Sequence, residues 1–185
     1  GETKNTASRG HTSGYTAVII ARSVVGIQAG DIVRVVNYLK GCNDVDTAKI
    51  GAIGLNEMCI PLIHAAAFDT SIKNIILIGS PISYRSIAMN RLFKIGLRKY
   101  EKEVKGHPYE VDFSWGIAGV LAAYDLPDLI GCIAPRKVAM ADLKDHSLES
   151  APEDLVKQEM TFPLSVYSHK GGSANLKITS ASETS

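Results

Sequence analysis

The 185-residue chain reads as an α/β protein, a three-layer sandwich built around a mostly parallel sheet. Three observations lead there. Short apolar runs rich in β-branched residues recur without polar alternation, as strands covered on both faces do. Between them lie stretches whose apolar residues fall at helical spacing. The links are short, and strand–helix–strand alternation with short links folds as parallel βαβ units.

Residues 1–14 are rich in Gly, Ser, Thr and charge and predict a loose leading segment. "YTAVII" (15–20) is a β-branched run and a strand candidate. "QAGDIVRVVNYLK" (28–40) places Ile32, Val35, Val36 and Leu39 on one helical face, with Gly41 to end it. A polar turn then leads into a strand at 49–53 and a helix from Glu57 to Phe68, where Pro61 is tolerable because it lies in the first turns. "NIILIG" (74–79) repeats the buried-strand pattern. Residues 82–123 read as helical pieces interrupted by a Gly-His-Pro turn at 106–108. "RKVAMA" gives a strand at 137–141, and "PEDLVKQEM" (152–160) a helix with Pro at its first position and two acids in its first turn. "NLKIT" (175–179) closes the series, and 180–185 is a polar tail, so one domain spans 15–179.

Composition narrows the function. With 45% hydrophobic residues, 21% charged residues and a formal net charge of +1, there is no basic excess to neutralise phosphates, so nucleic acid is not an expected partner. Runs such as "AVII" and "IILI" are too short to span a bilayer, and the first residues lack the apolar centre of a signal peptide. The expectation is a soluble domain, cytoplasmic or exported with its signal already removed. Cys42, Cys59 and Cys132 are widely spaced and form neither a disulfide framework nor a zinc pattern. Cys59 and Cys132 read as small core residues. None of the five histidines has a second ligand at metal-binding spacing, so neither metal nor cofactor is expected.

The most informative stretch is "KIGAIGLNEMC" (49–59), a strand running into a tight turn and then a helix. A nucleophile elbow has this outline: its tip residue stands at the C-terminal edge of the sheet, beside a helix N-terminus that favours negative charge. Such elbows read G-x-S-x-G. Here Gly54 keeps the first glycine, Asn56 replaces the serine and Met58 the second glycine. Asn56 is also a good N-cap for the following helix, and Asn tolerates the left-handed backbone of an elbow. Glu57 favours the helix N-terminus electrostatically.

The context of this stretch resembles α/β-hydrolases of the acetyl xylan esterase-like branch. An R-S-x-x-G turn (Arg22, Ser23, Gly26) leads to a helix with an early acid (Asp31), a D-x-D turn (Asp44, Asp46) and the elbow strand. Further on, "YDLPDLIGCIAPRKVAMADLKD" is similar to the approach to that family's acid-bearing strand, with Pro135 and Arg136 opening the strand and Asp145 in the loop after it. The likeness covers about residues 15–178. It implies a truncated α/β-hydrolase-like fold, an elbow tip at Asn56, an acid at Asp145 and an acylated saccharide as ligand. The family's first strands and oxyanion loop should precede Tyr15, and its histidine should follow the last strand, where this sequence has "SASETS" after Thr179. A triad lacking its serine and histidine implies little or no hydrolysis.

Ser80 and Ser83 lie after a strand, where α/β folds place their sites, although "GSPISY" also suits an ordinary turn. His146 adjoins Asp145, and His169 sits toward a helix end, where dipole contact or exposure explains it. His64 reads as a satisfied core or boundary residue and His107 as part of a turn. Tyr84, Arg85 and Trp115 could line a pocket, and Arg85 would suit an anionic sugar. Two readings follow: a carbohydrate esterase-like domain of little or no activity that retains ligand binding, or an active carboxylic ester hydrolase using Ser80 or Ser83 with His146 or His169. A flavodoxin-like module is weaker, because no phosphate-cradling glycine loop is seen. An uncovered elbow strand would also be an open sheet edge, which predicts a homodimer or a chain supplying the missing strands.

Overall fold

The structure, a computed structural model, describes residues 16–95, 97–104, 107–111 and 113–179; the segments 1–14 and 180–185 lie outside them. Its centre is a parallel sheet of β1 (Gly51–Leu55), β2 (Asn74–Ile78), β5 (Lys137–Ala141) and β6 (Leu176–Thr179), ordered β1-β2-β5-β6. Around it run α1 (Val24–Lys40), α2 (Cys59–Phe68), the short α3 (Tyr84–Ala88), α4 (Leu126–Ile133) and α5 (Glu153–His169). A separate antiparallel hairpin joins β3 (Leu97–Val104) to β4 (His107–Val111). The expected α/β class with a parallel sheet is what forms.

Several elements take their bounds from local chemistry. The R-S-x-x-G turn is a helix cap: the Ser23 hydroxyl accepts the Gly26 N–H at 2.9 Å, opening α1 four residues before its expected start. On α1 the inward residues are Ala29, Ile32, Val33, Val36 and Leu39, while Val35 is 57% exposed. Asp125 caps α4 in a capping box with Asp128 and also accepts the N–H groups of Tyr84 and Arg85, tying α3 to α4. Arg136 acts as a clamp. Its guanidinium donates to the carbonyls of Ile72 (2.8 Å), Asp69 (3.0 Å), Ile133 and Ala66, joining the end of α2 to the start of β5.

Some expectations are corrected. Residues 16–19 are helical, so the described part of the strand expected at 15–20 is not a strand; Ala17 packs inward and its carbonyl accepts the Arg22 N–H at 2.7 Å. The strand expected at 49–53 runs 51–55, and a 3₁₀ turn at Asn56–Met58 precedes α2. The helical pieces expected over 82–123 reduce to α3 and short 3₁₀ turns, with the β3–β4 hairpin between; His107 and Pro108 begin β4 instead of forming a turn. The helix expected at 152–160 continues to His169 with Pro163 inside it. Cys132 is exposed, because α4 turns Leu126, Leu129, Ile130 and Ile133 inward and leaves position 132 outside that stripe, whereas Cys59 is buried as expected.

The strands are not covered on both faces. One face, with Ile75, Leu77, Val138, Met140 and Leu176, joins the helices in the main core. The other face puts Ile53, Ile76, Ala139 and Lys177 in one row across the sheet and Leu55, Ile78, Ala141 and Thr179 in the next. On it Ile53 is 64% and Leu55 55% exposed, and Ile76 and Ile78 about 40%. Among the described residues no helix is long and apolar enough to cross a membrane.

Candidate functional site

The chain turns at Leu55-Asn56-Glu57 from β1 toward α2, and Asn56 takes φ +51°. This is the left-handed backbone expected at the strand–helix junction. Two glycines make room for it. A Cβ on Gly54 would come within 3.0 Å of the Cys59 Cα, and one on Gly79 (φ +67°) within 2.5 Å of the Asn56 Oδ1. The Asn56 amide therefore lies against the end of β2. Asn56 is not the N-cap of α2: Met58 holds that position and makes no side-chain cap.

A cavity of about 550 Å³ opens at this edge, within the range of small-molecule sites. Asn56, Glu57, Gln28, Ser114 and Lys144 line it with polar groups, and Leu55, Met58 and Trp115 are among its apolar walls. Lys144 is held there by backbone pairing: its N–H donates to the Ser80 carbonyl (2.8 Å) and its carbonyl accepts the Ile82 N–H (2.9 Å). Its ammonium meets Asp142 at 2.7 Å, and this hydrogen bond, with another from Ser150, holds the Asp142 carboxyl below the usual carboxylate range. The cavity thus offers amide, carboxylate, hydroxyl and ammonium groups beside an indole.

The remaining candidates fall elsewhere. Asp145 spends one carboxylate oxygen on its own loop, accepting the Ser147 N–H (2.7 Å), the Ser147 hydroxyl (2.9 Å) and the Glu149 N–H (3.2 Å). His146 Nδ1 stands 3.9 Å from its other oxygen. Ser80 is fully buried and donates to the Pro81 carbonyl; Ser83 is fully buried and caps α3 by accepting the Ser86 N–H. His169 is exposed in the last turn of α5. Among the described residues no hydrogen bond joins either serine to His146 or His169. Arg85 pairs with Glu159 at 2.7 Å in a different depression, and Tyr84 donates to the Trp115 carbonyl behind the cavity wall. His64 is buried, bonded to the Ile60 carbonyl and the Tyr124 hydroxyl, as a satisfied core residue. Burial pushes the Cys59 thiol up to about 11, which leaves it unreactive.

Gln28, Ser114, Lys144 and Leu148 were not singled out by the sequence. Gln28 comes from α1, Ser114 from the 3₁₀ turn after β4, and Lys144 and Leu148 from the loop after β5; the only local signal was the place of that last loop at a strand C-terminus.

This arrangement of sheet and helices has counterparts among solved structures. A candidate acetyl xylan esterase from Bacteroides fragilis superposes with a TM-score of 0.64 at 16% identity, covering 95% of this chain and 41% of that one. A family 15 carbohydrate esterase, a glucuronoyl esterase from Caldicellulosiruptor kristjansonii, gives 0.54 at 18% identity over 82% of this chain and 43% of its own. A glucuronoyl esterase from Solibacter usitatus gives 0.52 at 19%, over 85% and 44%. The fold is of the α/β-hydrolase type. The chain spans less than half the length of these proteins, and at such identities the likeness is one of fold. No family model matches the sequence, and no curated protein does.

Proposed function

We propose that this chain is a carbohydrate esterase-like α/β-hydrolase domain that binds an acylated saccharide at the C-terminal edge of its sheet and hydrolyses it little or not at all. The observation that carries this is Asn56: the elbow's left-handed backbone is kept, while the side chain at its tip is an amide resting on Gly79. An amide cannot serve as the nucleophile of acyl transfer. Asp145, at the acid position, is engaged with its own loop, and the two alternative serines are buried. The cavity suits a polyhydroxylated ring: Trp115 supplies an apolar wall, and Gln28, Asn56, Glu57 and Lys144 supply donors and acceptors.

The test pairs two measurements. An aryl acetate and a serine-directed phosphonate should give background turnover and no adduct, in the parent and in Asn56→Ser alike. Acetylated and methyl-esterified oligosaccharides should change the emission of Trp115, the sole tryptophan. An adduct at Ser80 or Ser83, with turnover abolished by its change to Ala, would establish the active-esterase reading instead. Unchanged emission across both ligand sets would refute the binding role. The outer side of β1 ends the sheet among the described residues. It is where a second copy or a strand-supplying chain would add.

A further inference from the structure

Trp115 is shared between two cavities. Besides the elbow cavity it lines a second one of about 370 Å³. Every described wall residue of this second cavity falls between Tyr84 and Ala122, on α3, on the 3₁₀ turns that follow the hairpin and on the links between them. No strand of the central sheet lines it, so it belongs neither to the sheet edge nor to the sheet's open face. Ala88 and Leu121 on its lining are exposed, so it opens to solvent.

Its chemistry differs from that of the elbow cavity. Where the elbow cavity has Glu57 and Lys144, no charged side chain lines the second one among the described residues. Three aromatic rings do. The Trp115 indole stacks on Tyr84, with centroids 6.3 Å apart and planes at 25°, and meets Phe93 edge to face at 6.1 Å. The Tyr84 hydroxyl is taken up by the Trp115 carbonyl at 3.1 Å, and burial pushes this phenol up, so it stays neutral. The indole Nε1 is buried and has no hydrogen-bond partner among the described residues, so packing alone positions that wall. Asn90 is the polar exception. Its Nδ2 donates to the Ser86 carbonyl at 2.6 Å, which leaves Oδ1 as an acceptor without a partner among the described residues.

These features select the occupant. A charged ligand would lose its hydration here and meet no counter-charge. A sugar carries several hydroxyls, and one free amide oxygen cannot satisfy them. Volume sets the size. An apolar cavity of about 150 Å³ takes benzene, so the 370 Å³ here has room for two fused rings. Flat rings pack against aromatic walls with more than their buried area. The single acceptor calls for a single donor.

We infer that the second cavity binds a small uncharged aromatic molecule, its rings against Tyr84, Phe93 and Trp115 and a hydroxyl donating to the Asn90 Oδ1. The site is separate from the elbow cavity, and the inference stands independently of what that cavity holds.

Isothermal titration calorimetry on the full chain tests it with four probes of one skeleton: β-naphthol, its methyl ether, the carboxylate β-naphthoate and the saturated alcohol β-decalol. β-Naphthol should bind at a single site. The methyl ether cannot donate and should bind about threefold to tenfold weaker. The saturated alcohol should lose a similar factor for want of stacking, and the carboxylate at least about tenfold. Asn90→Ala should cost β-naphthol about threefold to tenfold and leave the methyl ether unchanged, which separates a lost hydrogen bond from a collapsed cavity. Ala88→Leu with Ala122→Leu, at exposed lining positions, should fill the cavity and abolish binding of both, with an unchanged circular dichroism spectrum. No binding of β-naphthol to the parent chain, equal binding of β-decalol, or binding that survives the leucine pair would overturn the inference. So would equal losses for β-naphthol and its ether in Asn90→Ala, since the hydroxyl would then have no acceptor at Asn90.

Discussion

Gly79→Ala probes the elbow most directly, because Gly79 and Asn56 both hold left-handed backbone and lie in contact. Two costs follow from the geometry. An L-residue at φ +67° loses about 1–2 kcal/mol relative to the right-handed basins. The added Cβ would also stand 2.5 Å from the Asn56 Oδ1, so the amide must leave its position. Against these, alanine removes about 0.4–1 kcal/mol of unfolded-state entropy. The expected net loss is about 1–3 kcal/mol, read from urea unfolding followed by Trp115 fluorescence and circular dichroism. The decisive measurement is a double-mutant cycle with Asn56→Gly. Removing the amide deletes the contact and leaves only the backbone cost, so Gly79→Ala should then be milder by about 1 kcal/mol, within the coupling range of touching residues. Additivity to within about 0.5 kcal/mol would show that the Asn56 side chain does not rest on Gly79, and the cavity described around it would lose its central residue.

Arg136→Ala should lower stability by about 3 kcal/mol, since carbonyls from α2, α4 and the loop before β2 lose a charged donor together. Arg136→Lys should restore little of it, because a compact ammonium cannot span the same acceptors; full recovery with Lys would show that charge alone matters. His64 gives a pH signature. Burial, partly offset by the Ile60 carbonyl, holds its imidazole below the ordinary value of 6.5. The unfolded chain therefore takes up the proton first, so this contribution is complete above pH 6.5 and declines as pH falls below it. Unfolding free energies at a series of pH values should show the decline flattened in His64→Gln, and an unchanged slope would remove His64 as its source.

The elbow was legible because its constraints are local. Gly54 must be small for β1 to pass Cys59, and Asn56 tolerates the left-handed turn, so these two positions announce the geometry. The cavity was not legible, since Gln28, Ser114 and Lys144 meet only through tertiary folding. Residues 16–19 misled because a β-branched run is weak evidence for a strand when a buried Ala17 and a closing backbone bond can hold a helical turn. The β3–β4 hairpin misled for the opposite reason: its Lys, Arg and Glu residues favour helices in isolation. The discrepancy at the sheet is of another kind. "GAIGL" and "NIILI" are apolar at positions facing both ways, and a strand with one solvated face alternates instead. Their outward residues Ile53, Leu55, Ile76 and Ile78 gain nothing from the core they leave behind, and their exposure favours aggregation. A sequence that keeps four large aliphatic side chains there is patterned for a cover over that face, as the second helical layer of a three-layer α/β sandwich provides.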